Sequence, residues 1–101
     1  HEWREAARYI EENAREGDLV IIYPEHEIES GNYYFGKGKL KVTTLYNRSG
    51  LDTLHGPGNV WIISSYHGDM IEKEHLPPQN RLLQEKEFRK IKIYRLEGLP
   101  E

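Results

Sequence analysis

Two short apolar runs give the sequence its clearest structural signal. The first is Leu19-Val-Ile-Ile-Tyr23, and the second is Val60-Trp-Ile-Ile63, which is followed by Ser64 and Ser65. Runs of this length are typical of strands that are buried on both faces of a sheet, and they are too short for a buried helix. We therefore predict two central strands, one in each run, that lie side by side.

The residues before the first run have the pattern of an amphipathic helix, from Glu2 to Arg15. Their apolar positions fall on one helical stripe, and Gly17 follows where a left-handed residue commonly ends a helix. We expect this helix to pack onto the sheet, and we expect both tryptophans to lie in the core. The apolar stripe consists of Trp3, Ala6, Ala7, Ile10 and Ala14, and the second tryptophan is Trp61.

Weaker patterns predict two elements between the central strands. The crossover that follows Tyr23 contains three glycines, and we expect a short helix within it at about Glu29 to Phe35. The segment from Leu40 to Tyr46 alternates and is rich in β-branched residues, which predicts a strand. Lysines at positions 39 and 41 favour the edge of the sheet for this strand.

The last third of the chain is predicted to contain helix followed by strand. Asp69-Met-Ile-Glu72 has the spacing of a capping box, which predicts a helix that runs to about His75. Pro78 suits the first position of a second helical piece, which would extend through Gln84 or Lys86. The strict alternation from Phe88 to Leu96 predicts a half-exposed antiparallel strand at the sheet edge.

Together these elements predict a single α/β domain over residues 1–101. A chain of 101 residues supports one modest core. We expect a small open sheet of about four strands that is mostly parallel, with helices on both faces and an antiparallel C-terminal edge strand. Such an arrangement is Rossmann-like or flavodoxin-like.

The composition excludes several classes of function. The chain has 14 Lys and Arg against 17 Asp and Glu, a net charge of -3, and its basic residues are scattered, so we expect no nucleic-acid partner. It has no cysteine, which excludes disulfides, thiolate metal sites and a cysteine nucleophile. No apolar run approaches the roughly 18 to 20 residues of a membrane-spanning helix.

Motifs for common cofactors and reactions are also missing from the sequence. The chain contains no Walker-type phosphate loop, no G-x-G-x-x-G after the first strand and no G-x-S-x-G elbow. Strand one ends instead in Tyr23-Pro-Glu25. We therefore predict no cofactor and no catalytic residue in this chain.

The ends of the two central strands are the predicted ligand-binding surface. Ligands of open parallel sheets bind outside the carboxyl ends of the strands, near the point where the strand order reverses. Aromatic side chains of the crossover could in addition stack on a sugar or another planar ligand. The candidate ligand-binding residues are Tyr23, Glu25, His26, Asn32, Tyr33, Tyr34, Ser65 and His67.

Two of these candidates are histidines, and they raise the question of a metal site. Together with Glu25 and Asp69, His26 and His67 have the chemistry of zinc ligands. Their spacing fits no zinc signature, so we predict no metal and interpret both as solvated loop histidines. Acid or base catalysis by these residues is a further alternative.

Five segments, taken in order, resemble the C-terminal soluble domain of a family of integral-membrane glycosyltransferases. This family contains the dolichyl-phosphate-mannose protein mannosyltransferases and the bacterial aminoarabinose transferases of lipid A. The resemblance spans nearly the whole chain. The segments are Glu2-Trp-Arg-Glu-Ala-Ala-Arg-Tyr-Ile10, Glu16-Gly-Asp-Leu-Val-Ile-Ile22, Tyr33-Tyr34, Val60-Trp-Ile-Ile-Ser64 and Phe88 to Leu96.

The resemblance implies an extracytoplasmic domain that lies over the membrane-embedded portion of the same polypeptide. Such enzymes take the sugar from a polyisoprenyl phosphate, and their catalytic acidic residues lie in loops of the membrane portion, so none is carried onto this chain. The implied role is to position the lipid-linked sugar or a glycan or protein acceptor, or to stabilise the membrane core. The chain also starts at His1 within a helical pattern, from which we expect a fragment of a longer protein.

Two other interpretations remain open at this point. One is a free-standing, flavodoxin-like module that binds a ligand or a protein, which the strand-end residues and the missing catalytic motifs favour. The other is a small independent enzyme that uses His26, His67 and Glu25. The coding sequence upstream of His1 distinguishes them from the first interpretation, because a membrane parent requires hydrophobic spans of about 20 residues there.

Overall fold

The computed structural model describes residues 2–35, 38, 40–65 and 69–100, which form one mixed sheet and two α-helices. The strand order is β2-β1-β3-β5-β4. Strands β1, β2 and β3 are parallel, whereas β5 is antiparallel to both β3 and β4. The elements are α1 (Glu2–Asn13), β1 (Leu19–Tyr23), α2 (Ile28–Phe35), β2 (Lys41–Thr44), β3 (Asn59–Ser65), β4 (Leu82–Phe88) and β5 (Ile91–Glu97).

The elements with the strongest sequence patterns are confirmed. Strands β1 and β3 are neighbours in the middle of the sheet, and β2 forms one edge. Helix α1 packs on the sheet through Trp3 and Ile10, and both tryptophans are buried. Gly17 has a φ of +96°, so the left-handed position after α1 is also confirmed. None of the described helices has the length and apolar character needed to cross a membrane.

The predicted Rossmann-like or flavodoxin-like architecture is wrong. The sheet has five strands, and its β3-β5-β4 side is antiparallel. Both helices contribute to a single cluster on one face, whereas the other face packs against loop residues. The residues that cover this second face include Leu45, Leu51, Leu54, Ile71 and Leu76. The prediction that helices cover both faces of the sheet is therefore wrong.

The predicted helices between Asp69 and Lys86 are also wrong. A single 3-10 turn, Lys73–His75, stands where the first was expected, and β4 replaces the second piece. Strand β4 contains Gln, Glu and Lys, which favour helices locally, but its backbone pairs with β5 in a hairpin through Arg89 and Lys90. Tertiary pairing therefore overrides local propensity here.

The C-terminal strand is antiparallel as predicted, but its place at the sheet edge is wrong. Strand β5 lies between β3 and β4, and Ile93, Tyr94 and Leu96 are buried. Strand β4 forms the edge instead, with Glu85, Lys86 and Glu87 exposed. Charged side chains on an edge strand discourage pairing with another chain.

A buried carboxylate joins the amino ends of β1 and β3. Asp18 is 2% exposed, and its oxygens accept hydrogen bonds from the backbone N–H of Arg15 (3.1 Å), the backbone N–H of Asn59 (2.9 Å) and the indole Nε1 of Trp61 (3.0 Å). A side chain at Gly58 would collide with the Asp18 carboxylate, which accounts for glycine at that position. Asp18 thus ties the turn after α1 to the start of β3.

The second face of the sheet contains a buried tyrosine, Tyr94, whose ionisation should make the free energy of unfolding depend on pH in the alkaline range. Tyr94 donates a hydrogen bond to the carbonyl oxygen of Ile71 (2.9 Å), and burial raises the pKa of Tyr94 to about 12. Because its pKa is higher in the folded than in the unfolded chain, its stabilising contribution is complete below about pH 10 and is lost as the pH rises towards 12, by about 2 to 3 kcal/mol. Urea titrations at about pH 8 and pH 11 should show a smaller loss for Tyr94→Phe than for the unmodified chain. Equal losses would contradict this assignment.

Candidate ligand-binding site

A cavity of about 210 Å³ lies at the carboxyl ends of β1 and β3. The two strands are parallel and adjacent, so the residues that end them and the loops that follow them meet at one edge of the sheet. Among the described residues, Tyr23, Pro24, His26, Ser65 and Asp69 line the cavity. We refer to it as the strand-end cavity.

A chain of polar contacts starts at two lining residues of the strand-end cavity, Tyr23 and Asp69. The Tyr23 hydroxyl donates to Asp69 Oδ2 (3.3 Å), and Arg48 Nη2 forms an ion pair with Asp69 Oδ1 (2.9 Å). Arg48 Nη1 also donates to the carbonyl oxygen of Met70 (2.6 Å). Burial and the neighbouring Asp69 carboxylate raise the pKa of Tyr23, and Arg48 opposes the shift. The Tyr23 hydroxyl therefore stays protonated at neutral pH and acts as a donor to Asp69.

Two adjacent serines at the end of β3, Ser64 and Ser65, differ in the hydrogen bonds that their hydroxyl groups form. The Ser64 hydroxyl accepts a hydrogen bond from the backbone N–H of Ile71 (2.9 Å). Ser65 is 4% exposed, and its hydroxyl has no hydrogen-bond partner among the described residues. A buried hydroxyl without a partner costs free energy, so the Ser65 hydroxyl is destabilising in the folded chain.

Replacement by alanine should affect stability differently at the two serines. Ser64→Ala removes the acceptor of a buried N–H and should lower the free energy of unfolding by about 1 to 3 kcal/mol. Ser65→Ala removes a hydroxyl that has no partner and should leave stability unchanged or raise it by up to about 1 kcal/mol. Urea denaturation of both variants provides the comparison. A larger loss for Ser65→Ala than for Ser64→Ala would mean that the Ser65 hydroxyl is satisfied in solution.

The structure brings together part of the candidate set. Tyr23, His26 and Ser65 line the strand-end cavity. Glu25 is exposed on the neighbouring 3-10 turn and is not a lining residue. His67 lies outside the described residues. Whether the lining residues bind a ligand stays a prediction.

The other three candidates, Asn32, Tyr33 and Tyr34, lie elsewhere. Helix α2 starts just after β1 ends, and its last residue, Phe35, lines a hollow with Ala14 and Arg15 at the end of α1. Arg15 lies shortly before the start of β1. The end of α2, which shares the hollow with Arg15, therefore lies towards the amino ends of the strands. Tyr33 is 81% exposed, and Tyr34 packs against the helix-side core.

The ligand-binding candidates predicted from sequence do not include Asp69, which lines the cavity, or Arg48, which forms an ion pair with it. The sequence predicts Asp69 only as a possible zinc ligand and a helix cap, and it predicts no role for Arg48. Arg48 follows β2, which is parallel to β1, so the loop after β2 reaches the same sheet edge. Only the direction of β2 would have placed Arg48 at this edge of the sheet, and the sequence pattern does not determine that direction.

Other hollows on the described surface have weaker chemistry. One of about 270 Å³ lies between the ends of α1 and α2, where Glu11 and Arg15 supply the charged groups. Another lies beside Asp18, whose carboxylate already accepts three hydrogen bonds. Neither contains a buried side-chain polar atom that lacks a partner among the described residues.

The described residues contain no group of three or more His, Asp or Glu side chains arranged to hold a metal ion. Comparison of the chain with known protein families, curated proteins and solved structures found no match. The strand-end cavity and the sequence resemblance are therefore the two features of the chain that bear on function.

Proposed function

We propose that the chain is an extracytoplasmic accessory domain of a membrane glycosyltransferase that uses polyprenyl-phosphate sugars. In this role it positions the lipid-linked donor or the acceptor above the membrane portion of the same polypeptide, or stabilises that portion. The catalytic acidic residues belong to the membrane portion, as in the resembled family. The domain itself contributes binding or support.

The observation that carries this proposal is the contact between segments that resemble the family. Asp18, in the Glu16-Gly-Asp segment, accepts the indole hydrogen bond of Trp61, in the Val60-Trp segment. Helix α1, which contains the Trp-Arg-Glu-Ala-Ala segment, packs on the same strands through Trp3 and Ile10. The segments that resemble the family in sequence therefore form one packed unit.

A free-standing binding module is the second candidate. The strand-end cavity favours it, because a hollow at the carboxyl ends of parallel strands is a common place for a ligand and needs no membrane portion. The two candidates differ in the coding sequence upstream of His1. The proposed function requires a series of hydrophobic spans of about 20 residues there, and the free-standing module does not.

Protease protection tests the proposed location. The full-length protein is expressed with an epitope tag after the last residue of this domain, and protease is added to intact spheroplasts or to sealed vesicles of known orientation. We expect the tag to be cleaved only when protease has access to the extracytoplasmic side. Cleavage only from the cytoplasmic side, or release of the tagged protein from membranes by alkaline carbonate, would contradict the proposal.

A further inference from the structure

We infer that Asn47 is an acceptor for asparagine-linked glycosylation. It opens the triplet Asn47-Arg48-Ser49, which fits the Asn-x-Ser/Thr pattern of acceptor sites and has a middle residue other than proline. None of the other asparagines in the chain is followed two positions later by serine or threonine. The inference goes beyond the proposed function and rests on its extracytoplasmic location, because this modification belongs to that side of the membrane.

The triplet lies on the surface of the domain. Asn47 and Ser49 are both exposed, and Tyr46 before them is 80% exposed. The segment follows the edge strand β2 and forms the 3-10 turn Arg48–Gly50. An attached glycan is bulky and requires a surface loop, and the position of Asn47 meets this requirement.

The side chains of Asn47 and Ser49 are already in contact. The Ser49 hydroxyl donates a hydrogen bond to Asn47 Oδ1 (2.9 Å), and the Ser49 backbone N–H donates to the same oxygen (3.0 Å). Asn47 Nδ2, the atom that takes the sugar, forms no hydrogen bond with the described residues. The carboxamide is therefore held through its oxygen, and its nitrogen is available for reaction.

Arg48, the middle residue of the triplet, anchors the turn to the body of the domain. Its guanidinium pairs with Asp69 Oδ1 (2.9 Å) and donates to the carbonyl oxygen of Met70 (2.6 Å). Its side chain is 32% exposed, whereas Asn47 and Ser49 on either side are exposed. Arg48 therefore turns inwards, and the two residues that define an acceptor site remain at the surface.

The chemistry is transfer of an oligosaccharide from a lipid diphosphate by an oligosaccharyltransferase. A bond forms between Asn47 Nδ2 and the anomeric carbon of the first sugar, and the bond between that carbon and the diphosphate oxygen breaks. Nδ2 loses a proton, and the lipid diphosphate leaves with the electron pair of the broken bond. The two donors from Ser49 stabilise the negative charge that develops on Asn47 Oδ1 as the proton leaves.

Cell-free translation with endoplasmic-reticulum microsomes tests the inference. The chain is fused to a cleavable secretion signal, and a C-terminal tag with an Asn-Ala-Thr triplet shows that each protease-protected molecule has met the transferase. We expect glycans at both Asn47 and the tag in the unmodified chain, and at the tag alone in Asn47→Gln and Ser49→Ala. Ser49→Thr keeps the hydroxyl and should carry both glycans. Asn32→Gln, at an exposed asparagine outside any acceptor triplet, is the matched control and should also carry both.

A second measurement tests whether the folded turn accommodates the glycan. The glycosylated chain is purified from a secreting eukaryotic host, and one portion is treated with an endoglycosidase that leaves a single sugar on Asn47. Because the side chain is at the surface, we expect the same urea midpoint for both forms. A lower midpoint for the fully glycosylated form would mean that the glycan disturbs the fold, and it would contradict the inferred site.

Two results of the translation assay would overturn the inference. They are a glycan at the tag alone in the unmodified chain, and a second glycan that persists in Asn47→Gln. Because the added signal delivers the chain to the microsomes, failure of this test would leave the proposed membrane parent untouched. Failure of protease protection on the parent would in turn leave the acceptor result untouched.

Discussion

Asp18→Ala should lower the free energy of unfolding by about 3 to 5 kcal/mol. The Asp18 carboxylate is the acceptor for three donors, the backbone N–H groups of Arg15 and Asn59 and the indole of Trp61. Each donor that loses its acceptor in a buried place costs about 1 to 3 kcal/mol, and water that enters the space left by the carboxylate recovers part of the sum. Urea denaturation followed by tryptophan fluorescence measures the change.

Two further variants test whether the loss of stability in Asp18→Ala comes from its buried hydrogen bonds. Asp52→Ala alters an exposed aspartate and should change stability by less than about 0.5 kcal/mol. Trp61→Phe removes only one of the three donors, so a double-mutant cycle with Asp18→Ala should give a clear coupling energy. A loss below about 1 kcal/mol for Asp18→Ala, or no coupling to Trp61, would mean that the carboxylate does not join the two strands.

Ile10→Ala should destabilise the chain by about 2 to 5 kcal/mol. Ile10 is fully buried on α1, in the cluster that contains Val20, Ile22 and Trp61 from the sheet. Truncation removes buried apolar atoms and leaves a cavity that the neighbours fill only in part. Glu11→Ala, one position along on the exposed side of the same helix, should have little effect. A loss under about 0.5 kcal/mol for Ile10→Ala in a denaturant titration would mean that α1 is not docked on the sheet.

The predictable part of the fold is the part that local pattern determines. Strand β1, strand β3 and helix α1 each have an apolar pattern that only one type of element satisfies. Strand β4 does not: its Gln, Glu and Lys residues favour a helix, and only its pairing with β5 makes it a strand. The same pairing moves β5 from the edge to the interior, so one wrong local assignment changed the predicted architecture.

The candidate site was predictable to a similar extent and for a related reason. Parallel neighbours place their carboxyl ends together, so Tyr23, His26 and Ser65 followed from β1 and β3 alone. Arg48 depended on the direction of β2, which local pattern does not determine. Tyr33 and Tyr34 are close to Tyr23 in sequence, but α2 leads the chain away from the strand ends.

The Asp18 contacts and the strand-end cavity lie at opposite ends of β1 and β3. Asp18 lies at the amino ends of β1 and β3, and the strand-end cavity lies at their carboxyl ends. A strand of five residues, the length of β1, spans roughly 16 Å. Variants at Asp18 should therefore change unfolding without a direct effect on the strand-end cavity.

Our central proposal is that this chain serves a glycosyltransferase without being its catalyst. The measurement that tests it most directly is transfer from a radiolabelled polyprenyl-phosphate sugar, performed with the isolated chain, the full-length parent and the parent truncated before Trp3. We expect no transfer by the isolated chain, transfer by the parent and a loss of transfer on truncation. Transfer by the isolated chain, or full activity of the truncated parent, would contradict the account.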